Sequence, residues 1–259
     1  MKYTIYLFLL VSCSIRAQNA IETSFLNKVD FKTDLLVAID NFDTKYFIND
    51  NVFNKKSTDK TITYNNLQLG NITTANAFNT LKINLFYKDF NSVIILDNRL
   101  AEIFKIDFNA LVKYKNISHV STGHDNTIWV FNQDNQKLEL FDYKTRTTRA
   151  QTVPIQSVIL DLKSNYNFCY LLTENYLYIY NYFGSLAKKL ENKGYTELIE
   201  SDGNIILKKN NSLVYLKKNS DIPIPISIPN FLIDAFFVTN ETLYIYANEV
   251  LHKFKIKID

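Results

Sequence analysis

Glycine and proline are scarce in this chain, five and four among 259 residues, so its turns have to be made by something else. Cysteine is scarcer still. There are two, and one of them, Cys13, lies in the N-terminal segment; Cys169 then has no partner, which excludes an internal disulfide framework. Cys169 sits in the apolar run NFCYLL and reads as a small buried hydrophobe. No apolar run approaches the roughly 20 residues of a membrane-spanning helix. Catalytic signatures are missing too: there is no G-x-S-x-G elbow, H-E-x-x-H pair, P-loop or dinucleotide glycine run. No histidine stands at a spacing that would make Cys169 a nucleophile. The polar run NQDNQ lacks the glycine and the closing glutamate of a calcium loop.

What is present begins with an export signal. MKYTIYLFLLVSCSIRAQNA carries Lys2, the short apolar run Tyr3–Val11 and a small residue at a natural cut, Ala17 before Gln18. The expectation is a signal peptide over 1–17 and a single domain over 18–259. Leu10-Val11-Ser12-Cys13 is the alternative, a lipobox in which Cys13 is acylated and becomes the mature N-terminus. Nothing acidic follows Cys13, so either version places the protein in the periplasm. Cleavage after Ala17 removes Lys2 and Arg16 and leaves 27 basic against 26 acidic residues. A field able to collect nucleic acid or anionic lipid is therefore absent.

The segment INLFYKDFNSVIILDN, starting at Ile83, has two apolar runs hinged on polar residues, and it recurs. Similar hairpins begin at Tyr46, Ile128, Phe168, Ile205 and Leu243, each 37 to 45 residues after the last. That period belongs to propeller blades of four strands. Each hairpin carries asparagine at its hinge: Asn51, Asn91, Asn135, Asn175, Asn210 with Asn211, and Asn248. Asparagine tolerates positive φ and closes turns through its side chain, so it stands in for the missing glycine. An apolar run precedes each hairpin (DLLVAID, ITTANAFN, ISHVSTG, SVILDL, TELIES, IDAFFV), and a more polar strand follows most of them. The polar strands, one with Pro223 and Pro225, have the composition of sheet edges. The last unit stops after its third strand, while SFLNKVDF (24–31) is unassigned, so the N-terminal strand is expected to complete the final blade. The fold class is all-β, a six-bladed propeller of four-stranded antiparallel blades; a β-sandwich is the alternative.

Tyr176, Tyr178, Tyr180 and Tyr182 share one strand face, with Leu177, Ile179 and Phe183 on the other. Apolar residues on both faces suit a blade packed between two neighbours, and do not suit an outer-membrane barrel strand. His119, His124 and Asp125 could begin a zinc site, but no third ligand is fixed by spacing and a turn is the favoured reading. His252 stands alone in a strand and is read as outward-facing. Asp89, Asp97 and Glu102 are ordinary turn acids unless space pairs them. The basic clusters KTRTTR (144–149), Lys208-Lys209 and Lys217-Lys218 are read as solvated turns and edges.

The chain resembles the small exported β-propellers of Bacteroidota. The segment YNNLQLGN…LKINLFYKDFNSVIILDNRLAEI (64–103) is similar to the plug family of the type IX secretion translocon. The resemblance implies a periplasmic subunit, one copy within a larger complex, that docks on an outer-membrane translocon protein and closes its periplasmic opening. It carries over no catalytic residue; from the residues themselves no metal and no cofactor are expected. Cargo of that system resembles a molecule with a glycine-bearing C-terminal sorting domain. Here the last glycine is Gly203, so the chain is expected to be a periplasmic resident. A ligand-binding or sensor propeller is the alternative, and a glycan-acting propeller enzyme with two converging carboxylates is a further one. Intact-mass analysis of the protein recovered from its host should give a chain starting at Gln18. A mass matching acylated Cys13 would replace that start.

Overall fold

A computed structural model describes residues 20–257, so Cys13, Ala17 and Gln18 lie outside the described residues. Alternating apolar runs and tight turns give twenty-four strands in six four-stranded antiparallel sheets. Blade 1 is β2 (Leu35–Ile39), β3 (Lys45–Asn49), β4 (Val52–Lys56) and β5 (Thr61–Tyr64). Blade 2 is β6 (Thr74–Asn76), β7 (Ile83–Tyr87), β8 (Ser92–Leu96) and β9 (Glu102–Asp107). Blade 3 is β10 (Ile117–Thr122), β11 (Thr127–Asn132), β12 (Lys137–Asp142) and β13 (Thr147–Gln151). Blade 4 is β14 (Ile159–Ser164), β15 (Phe168–Thr173), β16 (Tyr176–Asn181) and β17 (Leu186–Glu191). Blade 5 is β18 (Glu197–Ser201), β19 (Asn204–Lys209), β20 (Ser212–Leu216) and β21 (Ile224–Pro225). Blade 6 is β22 (Ala235–Thr239), β23 (Thr242–Ala247) and β24 (Val250–Ile256), with β1 (Thr23–Asp30) outermost.

The first strands of successive blades touch in cyclic order, β2 to β6 to β10 to β14 to β18 to β22 and back to β2, so the blades form a ring. β1 pairs antiparallel with β24 from Thr23↔Ile256 to Asp30↔Val250. Phe31 N–H donates to Glu249 O at 2.8 Å, and Tyr246 Oη exchanges 3.2 Å hydrogen bonds with the Thr33 backbone. Thr33 Oγ1 in turn donates to Ile48 O of blade 1 at 2.8 Å.

The buried residues fall into six clusters, one at each blade interface. Phe53, Ile83 and Leu85 fill the first interface, and Phe108, Ile128 and Phe141 the second. Trp129, Leu140 and Leu171 fill the third, and Leu172, Leu198 and Leu207 the fourth. Tyr215, Phe236 and Ile245 fill the fifth, and Tyr246, Leu251 and Leu36 the sixth. Each fully buried large side chain contributes roughly 1.5–3 kcal/mol. The central strands are buried on both faces because each face meets a different neighbour.

The hinge asparagines divide into two kinds. Asp50–Asn51 and Asn248–Glu249 are two-residue turns with both residues at positive φ, whose twist matches that of the flanking strands. Asn91 and Asn210 also take the left-handed conformation, with φ of 46° and 51°. Asn135 and Asn175 do not, which corrects the expectation of one mechanism at all six hinges. In the β11–β12 turn the left-handed residue is Gln136, and Asn135 caps the turn by accepting from Lys137 N at 3.2 Å. In the β15–β16 turn Thr173 Oγ1 accepts from Tyr176 N and donates to Tyr176 O, both at 2.9 Å, which closes it without a left-handed residue. Gly123 is required for a different reason: a Cβ there would lie 2.7 Å from the Thr127 carbonyl oxygen.

Some hinge side chains also clamp the next crossover. Asn51 Nδ2 donates to Gly70 O at 2.9 Å and its Oδ1 accepts from Ile72 N at 2.7 Å. Asn91 Nδ2 donates to Lys115 O at 2.6 Å and to Asn109 Oδ1 at 3.1 Å, and its Oδ1 accepts from Ile117 N at 3.0 Å. Asn91→Ala loses the tolerance of positive φ and leaves a buried amide without its acceptor, so urea unfolding should show a loss of about 2–4 kcal/mol. Asn175→Ala, at an exposed hinge of ordinary φ, should lose less than about 1 kcal/mol in the same measurement. Equal losses would show that the hinge asparagines are interchangeable.

Candidate functional site

Within each blade the first-to-second and third-to-fourth turns open at the same face of the disc, because the strands alternate in direction. On that face Phe78 of the β6–β7 turn meets Tyr166 of the β14–β15 turn, with ring centroids 5.1 Å apart. Tyr182 N–H donates to Asn167 O at 3.1 Å, which brings the β16–β17 turn alongside. The Tyr182 ring lies 5.3 Å from His124 and 4.1 Å from Phe183. Phe183 is 66% exposed and Leu81, in the Phe78 turn, 62%. A contiguous exposed aromatic surface on rigidly held loops is the usual mark of an interaction site. The tyrosine stripe is corrected accordingly. Tyr178 and Tyr180 pack toward blade 3 and Leu177 and Ile179 toward blade 5, whereas Tyr182 and Phe183 have left the strand and face solvent.

A second feature lies on the outer rim of blade 3. A cleft of about 1000 Å³ separates the crossover residues Ala110–Lys115 from Thr145–Gln151. Beneath it Glu139 of β12 is 1% exposed, and its carboxylate is fully engaged. Its Oε2 accepts from the Lys115 ammonium and from Thr148 Oγ1, and its Oε1 from Asn132 Nδ2 and Asn135 Nδ2, both at 3.1 Å. Burial by itself would raise the Glu139 pKa, but these bonds outweigh it and hold the carboxyl below its ordinary value. The neighbouring Asp142 is held low in the same sense, burial being outweighed by the Thr145 and Lys144 amides and the Arg149 guanidinium.

The remaining sequence candidates are scattered. His124 Nε2 is 3.8 Å from Asp125 Oδ2, while His119 is on β10 with Nδ1 2.9 Å from Ser118 Oγ. Among the described residues no three of His, Cys, Asp and Glu converge as a metal site. His252 does not point into solvent as expected; it is half-buried with its ring 4.5 Å from Phe231, and burial, then Lys28, push its pKa down. Cys169 is fully buried and burial raises its pKa, in keeping with a core residue. Asp89 and Asp97 occupy opposite ends of β8, and Asp97 is held by the Arg99 and Ala101 amides. Glu102 accepts from Tyr64 Oη. Lys208 pairs with Glu197 at 2.6 Å. KTRTTR is more than a solvated edge, since most of it lines the cleft. Its opposite wall, LVKYK (111–115), carried the one sequence signal that could have found the site, a second basic stretch with no burial pattern of its own.

Polar side chains also stitch the inner strands. Asn84 and Asn76 bond Thr122, Asn76 bonds Ser121, and Ser121 meets Ser164 at 2.7 Å, joining blades 2, 3 and 4. Glu200 accepts from Asn165 Nδ2 at 2.8 Å and Asp161 accepts from Leu198 N at 3.0 Å, which ties blade 4 to blade 5.

Removing the lysine should be costly. Lys115→Met leaves the Glu139 carboxylate buried without its cation and should destabilise by about 3–5 kcal/mol, partly recovered by adding Glu139→Gln. Because the folded Glu139 pKa is depressed, its contribution is complete above the unfolded value of about 4.3 and fades as pH falls through the lower folded value. The loss caused by Lys115→Met should therefore be greatest near neutral pH and shrink as acid protonates Glu139, read as the urea midpoint against pH. Wild-type urea midpoints in that variant would show the pair to be dispensable.

No family model and no curated protein matches the sequence. Solved structures do match in fold. A catalytically inactive virginiamycin B lyase from Staphylococcus aureus with quinupristin is 11% identical at a TM-score of 0.62, covering 94% of this chain and 97% of that one. A streptogramin B lyase is 11% identical at 0.61, with 85% and 78% covered. PorZ, a bacterial surface component of the type IX secretion system of Porphyromonas gingivalis, is 14% identical at 0.53, covering 87% of this chain and 32% of PorZ. At these identities the likeness shows a shared β-propeller fold.

Proposed function

We propose that the protein is a non-catalytic interaction module of the periplasm that docks on an outer-membrane translocon protein of the type IX system and closes its periplasmic opening. The observation that carries this reading is the exposed aromatic face built from Phe78, Tyr166, Tyr182 and Phe183 with Leu81 beside it. Phe78 and Leu81 lie inside the segment 64–103 that is similar to the plug family. The fold likeness to a type IX component is consistent with the same system. Shape supplies the mechanism. A compact domain of this length is roughly 45 Å across. Six packed interfaces make it a body that cannot thread a channel sized for an extended chain. Aromatic loop residues supply adhesion at low entropic cost, because few rotors need to be fixed.

Affinity purification of the tagged mature chain from an outer-membrane detergent extract, followed by mass spectrometry, should recover an outer-membrane translocon protein. Tyr182→Ser combined with Phe183→Ser should lower that recovery about tenfold while the melting temperature stays within a few degrees. Wild-type protein that brings down no outer-membrane partner would sink the reading. Undiminished recovery by the double variant would place the docking surface elsewhere.

A further inference from the structure

The cleft on blade 3 has a chemistry that the aromatic face lacks. Five lining residues carry a charged group: Lys113, Lys115, Arg146, Arg149 and Glu139. The single carboxylate is buried and saturated, so it offers a ligand nothing. Lys115 is committed to Glu139 and Arg149 to Asp142. Lys113 and Arg146 remain, one on each wall, and neither enters an ion pair among the described residues. The local excess of positive charge is notable in a chain whose basic and acidic residues nearly balance.

The walls also carry groups that suit a polypeptide. Val112 is 105% exposed and Tyr114 55%, both on the crossover wall, where they have no core to serve. The facing wall is β13, the outermost strand of its sheet, which pairs with β12 and with no other strand. β13 is bulged: Leu140 faces Ala150 and Phe141 faces Thr148, with Arg149 extra between them. The bulge turns the Arg149 guanidinium toward Asp142 and splits the open edge into Thr147–Thr148 and Ala150–Gln151. A ligand lying along it would gain two short main-chain contacts rather than an unbroken ladder. At about 3.4 Å per residue, five residues of edge match five or six of an extended segment.

We propose that this cleft seats an extended acidic peptide segment of a protein partner, with its carboxylates on Lys113 and Arg146 and an apolar side chain against Val112 and Tyr114. A nucleic acid would need a longer cationic track than two uncommitted side chains. A small inorganic anion would leave the apolar wall and most of the cleft unused. The cleft shares no residue with the aromatic face, although Gly184 beside Phe183 sits close against Ala150 and Gln151. The two readings are told apart by their own variants, Lys113→Glu with Arg146→Glu here and Tyr182→Ser with Phe183→Ser there.

The test uses the mature chain and a fluorescein-labelled peptide, Glu-Val-Glu-Thr-Glu-Val-Glu, followed by fluorescence polarisation at low salt. A Kd of roughly 10–100 μM is expected, since so small and interrupted an interface falls at the weak end of protein recognition. The lysine counterpart, Lys-Val-Lys-Thr-Lys-Val-Lys, should bind at least tenfold more weakly. Lys113→Glu with Arg146→Glu should cost the acidic peptide at least tenfold while the melting temperature is unchanged, because neither side chain supports the fold. Hydrogen exchange of Thr147–Gln151 amides should slow on adding the acidic peptide. Equal binding of both peptides, or no loss in the double variant, would overturn the proposal. So would a heparin fragment that competes as well as the acidic peptide while the β13 amides stay unprotected, since the groove would then be a plain anion patch.

Discussion

Every blade of this protein is apolar on both faces, and that single constraint organises the molecule. A strand pair such as INLFY and SVIIL, buried at every position, cannot be one side of an isolated sheet. It needs a neighbour on each side, and so does that neighbour. A linear stack would leave two greasy faces open at its ends, whereas a ring leaves none. The interface between blade 6 and blade 1 is where the ring meets itself. There Tyr246 and Leu251 pack on Leu36 and Ile39, while β1 supplies the fourth strand. Lys253 of β24 bonds Asp43 in the first turn of blade 1 at 3.0 Å, a charged contact across the same seam. Six such interfaces give a core without a disulfide, which a chain with one described cysteine could not have formed.

A ring built on burial needs its angular spacing set by something directional. Here short polar side chains do this. Asn51 and Asn91 hold the crossover that leads to the following blade, using main-chain groups that would otherwise lack partners. Asn76, Ser121, Thr122 and Ser164 make a corresponding set of bonds between the inner strands. Buried amides and hydroxyls of this kind are costly unless satisfied. Most are satisfied across the seams between blades, which favours the observed placement, while Asn84 Oδ1 is left without a partner. The scarcity of glycine follows from the same choice: asparagine accepts the left-handed conformation and then adds bonds that glycine cannot make.

The two candidate surfaces differ in physical character. The aromatic face presents rings on short turns and carries few formal charges, which suits a large protein partner. The rim cleft is anchored by the Lys115–Glu139 pair, which ties the crossover to blade 3 and leaves two uncommitted cations, one on each wall. Both rest on scaffolding residues that take no part in contact. A surface loop is informative when the core decides where it stands.

The architecture was legible in the chain itself because strand burial is a local pattern. Alternating runs such as Tyr176–Asn181, the period near 40 residues and the polar outer strands are each written in adjacent residues. Cys169 could be placed in the core for the same reason. The hinges were only half legible. Asn135 and Asn175 look like Asn91 in sequence, but whether asparagine takes positive φ depends on whether Gln136 or Thr173 closes the turn instead. The surfaces were hardly legible at all. Phe78, Tyr166 and Tyr182 are far apart in the chain, as are Lys113 and Arg146, and nothing local marks them as neighbours. What the chain determined alone was the strands, their order and the need to close. What the tertiary structure decided was which loop residues meet, because that follows from packing angles set across six interfaces at once.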